Sequence, residues 1–206
     1  MELAAADQPW APLSVSQTID LLTDVHGLWW LSGGWALEEN AGHLDSPSRA
    51  HGDIDVTVPR EQWPTVHASL RQRMQVWIAK DGHLHDTAIT PVTDEVHNLW
   101  ARPLAGGPWQ LQLNLEDIRD EMWIYRRHHR VQRPIAEASW WSGRCRCIAP
   151  AVQLLWKAAA PRGVDEHDYA MVMSSLSRTE RLWLGRAIRT AHPDSPWAGR
   201  PELDEK

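Results

Sequence analysis

The sequence predicts an α+β protein, in which a small mixed β-sheet with helices is followed by a C-terminal helical subdomain. Two observations support this prediction. Through the first two thirds of the chain, short apolar runs of strand length alternate with helical stretches and turns, with glycine pairs at 33–34 and 106–107. Beyond residue 149, apolar residues recur at helical spacing, and Ser177-Arg178-Thr179-Glu180 has the form of a capping box.

The 206 residues allow one domain, or one domain with a small helical appendage. We expect a loose N-terminal arm at residues 1–13, the core at 14–134 and the helical subdomain at 135–206. The chain has 14 tryptophans and no phenylalanine, so tryptophan is expected to supply the aromatic volume of the core. The sequence does not predict an oligomeric state.

Helices and strands alternate in the first half of the chain. Ser14 or Ser16 can cap a first helix, which Gly27 ends. Pro64 stands in the first turn of a later helix, where proline is tolerated. The elements predicted after the first helix are a strand at 28–31, a short helix at 35–39, a strand at 53–58, a helix at 61–73 and a strand at 74–78.

The second half begins with strands and ends with helices. Gly106-Gly107-Pro108 predicts a hairpin, and alternation in 144–148 predicts a strand that buries Cys145 and Cys147 on one face. Pro161 is expected to end the first of the C-terminal helices. The predicted elements are strands at 96–102, 109–115, 122–125 and 144–148, then helices at 150–160, 165–176 and 177–191.

The charge balance limits the classes of partner. A net charge of −6 argues against a protein that binds nucleic acid through bulk charge, and it is compatible with a cationic small-molecule partner. The sequence carries no signal-peptide pattern and no apolar run long enough for a membrane span. We therefore expect a cytoplasmic protein without a membrane partner.

The segment 30–59 carries two chemical signals. Ser32-Gly33-Gly34 lies between a predicted strand and a helix, where glycines admit a ligand close to the backbone and the helix N-terminus favours an anion. Asp53 and Asp55 are two residues apart on a strand and therefore share a face. Because adjacent carboxylates repel each other, the pair favours a divalent cation, the alternative being an exposed acidic strand edge.

Together these motifs resemble the nucleotidyltransferase superfamily that includes DNA polymerase beta, and most of all its aminoglycoside 2''-adenylyltransferase-like family. The pattern in that family is Gly-Gly-Trp-Ala, a turn with glycine, then Arg-x-His-x-Asp-hydrophobic-Asp. The loop between the two motifs is slightly longer here. The matching residues are Gly33-Gly34-Trp35-Ala36, Gly42 and Arg49-Ala50-His51-Gly52-Asp53-Ile54-Asp55.

The resemblance implies transfer of a nucleoside monophosphate, AMP from ATP or another nucleoside triphosphate, to a hydroxyl of a small cationic acceptor such as an aminoglycoside. It implies Mg²⁺, as two ions held by three carboxylates, two of which are Asp53 and Asp55. The residues expected to bind the nucleotide are Ser32, Gly33, Gly34, Arg49, His51 and Lys157.

The third carboxylate departs from the family pattern. On the strand from Trp109, an acid is expected near Asn114, which is neutral. Glu116 lies on the same face one pleat further, and we predict it as the third metal ligand or general base. The alternatives are a solvent-exposed Glu116 with a two-carboxylate site, or a catalytically degenerate nucleotide-binding module.

A second motif follows in the helical subdomain. Lys157, with Asp165 and Asp168, resembles a helix lysine followed by Asp-x-x-Asp in stand-alone nucleotidyltransferases, including toxin-type enzymes. The resemblance implies that Lys157 contacts the triphosphate and that the two aspartates orient it or bind the acceptor. The alternatives are a lysine that extends to the surface and a first-turn acid at a helix N-terminus.

One basic segment, residues 126–133, is open to several interpretations. It could be a solvated strand edge, hold the leaving pyrophosphate, or bind an RNA backbone. RNA binding would fit a toxin-like RNA nucleotidyltransferase. The net charge disfavours that alternative, and we predict a small-molecule acceptor.

Overall fold

The computed structural model describes residues 2–5, 8–25 and 28–204. Its helices are α1 (Val15–Thr23), α2 (Gly33–Ala41), α3 (Trp63–Leu70), α4 (Ile135–Ala138), α5 (Pro150–Lys157), α6 (Gly163–Met173) and α7 (Arg178–Ala191). Its strands are β1 (Glu2–Ala4), β2 (Trp30–Ser32), β3 (Asp55–Pro59), β4 (Met74–Lys80), β5 (His83–Asp86), β6 (Asn98–Pro103), β7 (Leu111–Arg119), β8 (Met122–Ile124), β9 (Gln132–Pro134), β10 (Ser139–Trp141) and β11 (Arg146–Ile148). The predicted α+β class is confirmed.

The chain divides into two compact units, each made of two separate segments. The first unit comprises Met1–Leu31 and Ala50–Ile118, and the second comprises Ser32–Arg49 and Arg119–Lys206. This division differs from the consecutive segments 1–13, 14–134 and 135–206 expected from the sequence. Residues 32–49, which carry the glycine turn, belong with the C-terminal helices because α2 packs against α5 and α6.

A mixed β-sheet forms the first unit, with the strand order β1-β5-β4-β6-β7-β3-β2. Strands β3 and β7 are parallel, whereas β7 pairs antiparallel with β6, and β6 with β4. Glu2–Ala4 pairs antiparallel with His83–His85, so these residues form an edge strand where the sequence predicts a loose arm. Gly27, the predicted end of the first helix, lies outside the described residues; α1 ends at Thr23.

Alternation along the central strands separates a buried face from a polar one. On β3 and β7 the fully buried residues include Val56, Val58 and Leu113. Helix α3 packs on β3 and β4, and buries Val66 and Leu70. The alternate positions on the opposite face carry polar side chains, which place the first group of candidate site residues.

The second unit is mainly helical. Helix α5 begins at Pro150 as predicted but ends at Lys157, four residues before Pro161. Helix α7 begins with the predicted capping box, in which the Glu180 amide donates to Ser177 Oγ at 3.2 Å. Helix α5 packs against both α6 and α7, and the three helices carry apolar residues that are almost fully buried: Val152, Leu154, Leu155, Val172, Leu184 and Ile188.

Several further expectations about the core are confirmed. Tryptophan does supply buried aromatic volume, since Trp30, Trp109 and Trp123 are completely buried. Cys145 and Cys147 are buried free thiols whose sulfurs lie 3.9 Å apart.

Within the described segments, no helix combines the length and the apolar character needed to cross a lipid bilayer.

Candidate active site

The candidate residues fall into two groups, one in each unit. In the first unit, Asp53 is exposed, His51 and Asp55 are half-buried, and Ile54 between the two aspartates is completely buried. This burial pattern is the alternation that the sequence predicts, with the carboxylates directed away from the core.

A side-chain amide on β7, that of Asn114, donates to Asp55, and a second amide, that of Gln112, donates to Asn114. The register sets Asp55 opposite Gln112, and Asn114 two residues further along β7. Asn114 Nδ2 donates to Asp55 Oδ1 at 3.1 Å, while Gln112 Nε2 donates to Asn114 Oδ1 at 3.3 Å. The three side chains form a relay of hydrogen bonds that fixes one carboxylate oxygen of Asp55.

Glu116 does not join this group. It lies opposite Pro59, four residues beyond the partner of Asp55, which corresponds to about 13 Å along the strand. The Glu116 side chain is only 3% exposed. In the described part of the chain, no group of three or more His, Cys, Asp or Glu side chains is arranged to hold a metal ion.

The donor set nevertheless fits one form of cation binding. Mg²⁺ is commonly held by one or two carboxylates together with substrate phosphates, and not by a cage of protein ligands alone. Asp53 and Asp55 supply two carboxylates, and the Asn114 hydrogen bond orients one of them. These residues therefore fit a divalent cation that binds together with a nucleotide.

The second unit contains the glycine turn. Gly33 has φ 69°, a backbone conformation that a residue with a side chain rarely adopts. Its N–H donates to the side-chain oxygen of Gln153 at 2.8 Å, so α5 fixes the start of α2. The Ser32 hydroxyl is buried and has no hydrogen-bond partner among the described residues. Together with Gly34, these residues form a turn in which Ser32 has hydrogen-bonding capacity for a ligand.

Lys157, Asp165, Asp168 and Arg49 form one buried ion network. The Lys157 ammonium lies 2.6 Å from Asp165 Oδ1 and 3.0 Å from Asp168 Oδ2. Arg49 makes two hydrogen bonds to Asp168, at 2.8 and 2.9 Å. The side chains of Asp165 and Asp168 are 3% and 0% exposed. The two aspartates thus contact Lys157 directly, and the Arg49 guanidinium is engaged by Asp168.

The ion network favours the ionised forms of Asp165 and Asp168. Burial alone would raise the pKa of Asp165, but hydrogen bonds from Arg162 and Lys157 outweigh it and hold that pKa well below its usual range. Burial opposes ionisation of Asp168 as well, and the hydrogen bond from Arg49 and the charge of Lys157 lower its pKa. Both carboxylates are therefore anionic whenever the unit is folded near neutral pH.

These lowered pKa values predict a loss of stability in acid. A folded-state pKa below the unfolded value, about 3.9 for Asp, gives stability that is complete above the unfolded pKa and is lost as the pH falls. We expect the free energy of unfolding to drop between about pH 5 and pH 2. Urea denaturation across this range should show a smaller drop for Asp165→Asn than for the wild type. Equal drops in both proteins would contradict this origin of the acid sensitivity.

Sequence reasoning missed a group of residues that holds the loop before Arg49. Glu38 is completely buried, and it accepts hydrogen bonds from Ser48 N at 3.0 Å and from Ser48 Oγ at 2.8 Å. Ser48 Oγ also lies 2.8 Å from His167 Nε2. Ser48 and His167 are 119 residues apart, as are Arg49 and Asp168, so no local pattern signals these contacts.

The basic segment 126–133 is only partly a solvated edge. Arg126 and Arg127 place their guanidinium carbons 4.7 and 5.2 Å from the centre of the Trp156 ring. Arg133 is 5% exposed and lies over Trp183 at 4.5 Å. Cation–π contacts therefore occupy three of its four arginines, and its more exposed residues are Arg127, His129, Arg130 and Gln132.

Comparison with known proteins gives a family and a fold. A family model described as aminoglycoside-2''-adenylyltransferase matches residues 14–172. No curated protein sequence gives a match. The crystal structure of ANT(2'')-Ia in complex with adenylyl-2''-tobramycin has a TM-score of 0.55 at 17% identity, covering 84% of this chain and 94% of that one.

Two further solved structures share the fold. The solution structure of the antibiotic-resistance factor ANT(2'')-Ia has a TM-score of 0.57 at 19% identity, covering 88% of this chain and 96% of that one. The lincomycin-bound crystal structure of the lincosamide antibiotic adenylyltransferase LnuA has a TM-score of 0.53 at 16% identity, covering 82% and 99%.

Proposed function

We propose that this chain, which belongs to the aminoglycoside-2''-adenylyltransferase family, transfers AMP from ATP to a hydroxyl of a small cationic acceptor of the aminoglycoside type. The observation that carries the proposal is the Asp53 and Asp55 pair, in which Asp55 is held by a hydrogen bond from Asn114 on the polar face of the sheet. In the reaction, the acceptor hydroxyl gives up its proton to solvent, and its oxygen bonds to the α-phosphorus as the bond to pyrophosphate breaks.

The two carboxylates have the clearest role. Asp53 and Asp55 would hold the divalent cation that accompanies the nucleotide, and Asn114 keeps Asp55 in one orientation. The bound cation would make the α-phosphorus more electrophilic and neutralise charge on the departing pyrophosphate. Glu116, which the sequence predicts as a metal ligand or general base, lies four residues beyond the strand partner of Asp55 on β7.

The glycine turn and the ion network serve the triphosphate. Ser32 offers its buried hydroxyl, and the backbone of Gly33 and Gly34 opens the helix whose N-terminus favours an anion. Lys157 supplies positive charge, and its contacts with Asp165 and Asp168 fix where the ammonium lies. Arg49 acts through Asp168, whereas His51 is assigned directly to the nucleotide.

The acceptor class rests on net charge and on the family, and less on individual acids. Among the acidic residues, Glu38 is completely buried, while Asp117 and Glu95 pair with Arg60 and Lys80, which limits how strongly these three could attract an amine. The net charge of −6 still favours a cation over a nucleic acid. Solved structures that share this fold include an ANT(2'')-Ia complex with adenylyl-2''-tobramycin and the lincosamide antibiotic adenylyltransferase LnuA bound to lincomycin.

A transfer assay with labelled ATP tests the acceptor. We expect label on an aminoglycoside and none on a lincosamide or on tRNA. Binding of the acceptor should weaken only modestly with salt, because few counterions are released when a small molecule binds. Labelling of tRNA, with steep salt dependence that charge reversal at Arg127 or Arg130 removes, would support an RNA-modifying enzyme instead.

The same assay separates an enzyme from a binding module. The neutral Asn114, at the place where the family pattern has an acid, favours the module as a second candidate. Calorimetric binding of Mg-ATP with no transfer to any of the acceptors would select it.

A further inference from the structure

The amide of Asn114 has a fixed orientation on the polar face of the sheet. Its nitrogen donates to Asp55 at 3.1 Å, and its oxygen accepts from Gln112 at 3.3 Å. Reversing the amide would set two oxygens against each other at Asp55 and two nitrogens at Gln112, so both hydrogen bonds select one orientation. Asn98, directly opposite on β6, is also neutral.

The positions of β7 beside Asp55 are therefore neutral. Along β7 the neighbours of Asp55 are the amides Gln112 and Asn114, and the nearest acid on that strand is Glu116, opposite Pro59. A carboxylate at Asn114 would lie about 3 Å from Asp55, where two like charges need a cation between them. An amide donor instead stabilises the Asp55 carboxylate without any cation.

We propose that Asn114 is a positioning residue for Asp55, and that it makes the cation site of this chain one that fills only together with a nucleotide. The inference rests on the proposed function. Two carboxylates and an amide give a weak site for a free divalent ion, because most ligands must come from the phosphates and from water. A third carboxylate at the same position would convert it into a site that binds the ion alone.

The substitution Asn114→Asp tests this directly, because it keeps the shape of the side chain and changes its charge. The probe is Mn²⁺ alone, and its binding is measured from the paramagnetic resonance signal of the free ion. The melting temperature is measured separately with Mn²⁺ or with EDTA. We expect the wild type to bind Mn²⁺ at least about tenfold more weakly than Asn114→Asp does. The melting temperature of the wild type should rise only when Mn²⁺ and ATP are added together. The variant should melt lower than the wild type in EDTA and recover with Mn²⁺ alone.

Asn98→Asp is the matched control, since it adds the same charge to the same face one strand further from Asp55. It should leave Mn²⁺ affinity near that of the wild type. Tight binding of free Mn²⁺ by the wild type would overturn the proposal, as would equal gains in both variants or no gain at position 114. These readouts need no acceptor, so a failure to modify aminoglycosides would refute the proposed function without affecting them.

A second substitution separates positioning from packing. Asn114→Ala removes the donor to Asp55 without adding charge, and we expect kcat to fall at least tenfold while KM for the acceptor changes less than threefold. Asn114→Gln retains an amide and should recover part of that kcat. Loss of melting temperature with unchanged kcat in Asn114→Ala would show that the residue serves only the fold.

Discussion

Replacing Asp53 with asparagine is expected to lower kcat for AMP transfer by about three orders of magnitude, equivalent to roughly 4 kcal/mol of transition-state stabilisation. The reason is the loss of one of the two anionic side chains that the pair offers to a divalent cation. Because Asp53 is exposed, the free energy of unfolding should change by less than about 1 kcal/mol. Single-turnover transfer and urea denaturation measure the two quantities.

Asp20→Asn is the control for this experiment, since Asp20 is an equally exposed aspartate on α1. It should leave both turnover and stability unchanged. Ordinary turnover by Asp53→Asn with a known acceptor would remove the basis of the proposed function, because the family pattern places the metal chemistry on this pair.

Replacing Asp168 with alanine is expected to have the largest effect on stability, a loss of about 3–5 kcal/mol. Asp168 is completely buried between Arg49 and Lys157, and its removal deletes the carboxylate that accepts two hydrogen bonds from Arg49, at 2.8 and 2.9 Å, and contacts Lys157. A buried charge that loses its partner must be solvated at high cost. Urea denaturation of the purified variant gives the free energy of unfolding.

Glu95→Ala provides the comparison, because it breaks an ion pair with Lys80 in which the two side chains are 79% and 40% exposed. Solvent screens such pairs, so the loss should be much smaller than that of Asp168→Ala. If Asp168→Ala costs no more than Glu95→Ala, the network is not a structural element of the second unit. Lys157→Met should then be tested for its effect on nucleotide binding alone.

Local patterns predicted a large part of this protein. The order of glycine turn and Asp-x-Asp gave the family, which the match over residues 14–172 confirms. The capping box at Ser177, the hairpin at Gly106-Gly107-Pro108 and the alternation on β7 gave elements within a few residues of the observed ones. Each of these signals depends on residues close together in the chain, where sequence spacing and spatial spacing are nearly the same.

The functional roles assigned to Asp53, Asp55, Lys157 and the glycine turn are predictions. The tertiary structure adds contacts for some of the candidate residues. In the structure, Lys157 forms ion pairs with both Asp165 and Asp168, and Arg49 donates a hydrogen bond to Asp168. The structure leaves Glu116 away from the aspartate pair of the first unit.

The sequence by itself determined the family, the fold class and the alternation that buries Ile54 between the less buried Asp53 and Asp55. Only the tertiary structure decided that Asn114 donates a hydrogen bond to Asp55, that Glu116 lies opposite Pro59, and that residues 2–4 pair with β5. The physical reason is that strand register is set by packing and pairing across the whole sheet. A shift of two residues keeps every side chain on its face, so the alternating pattern is unchanged, but it replaces the partner of each carboxylate.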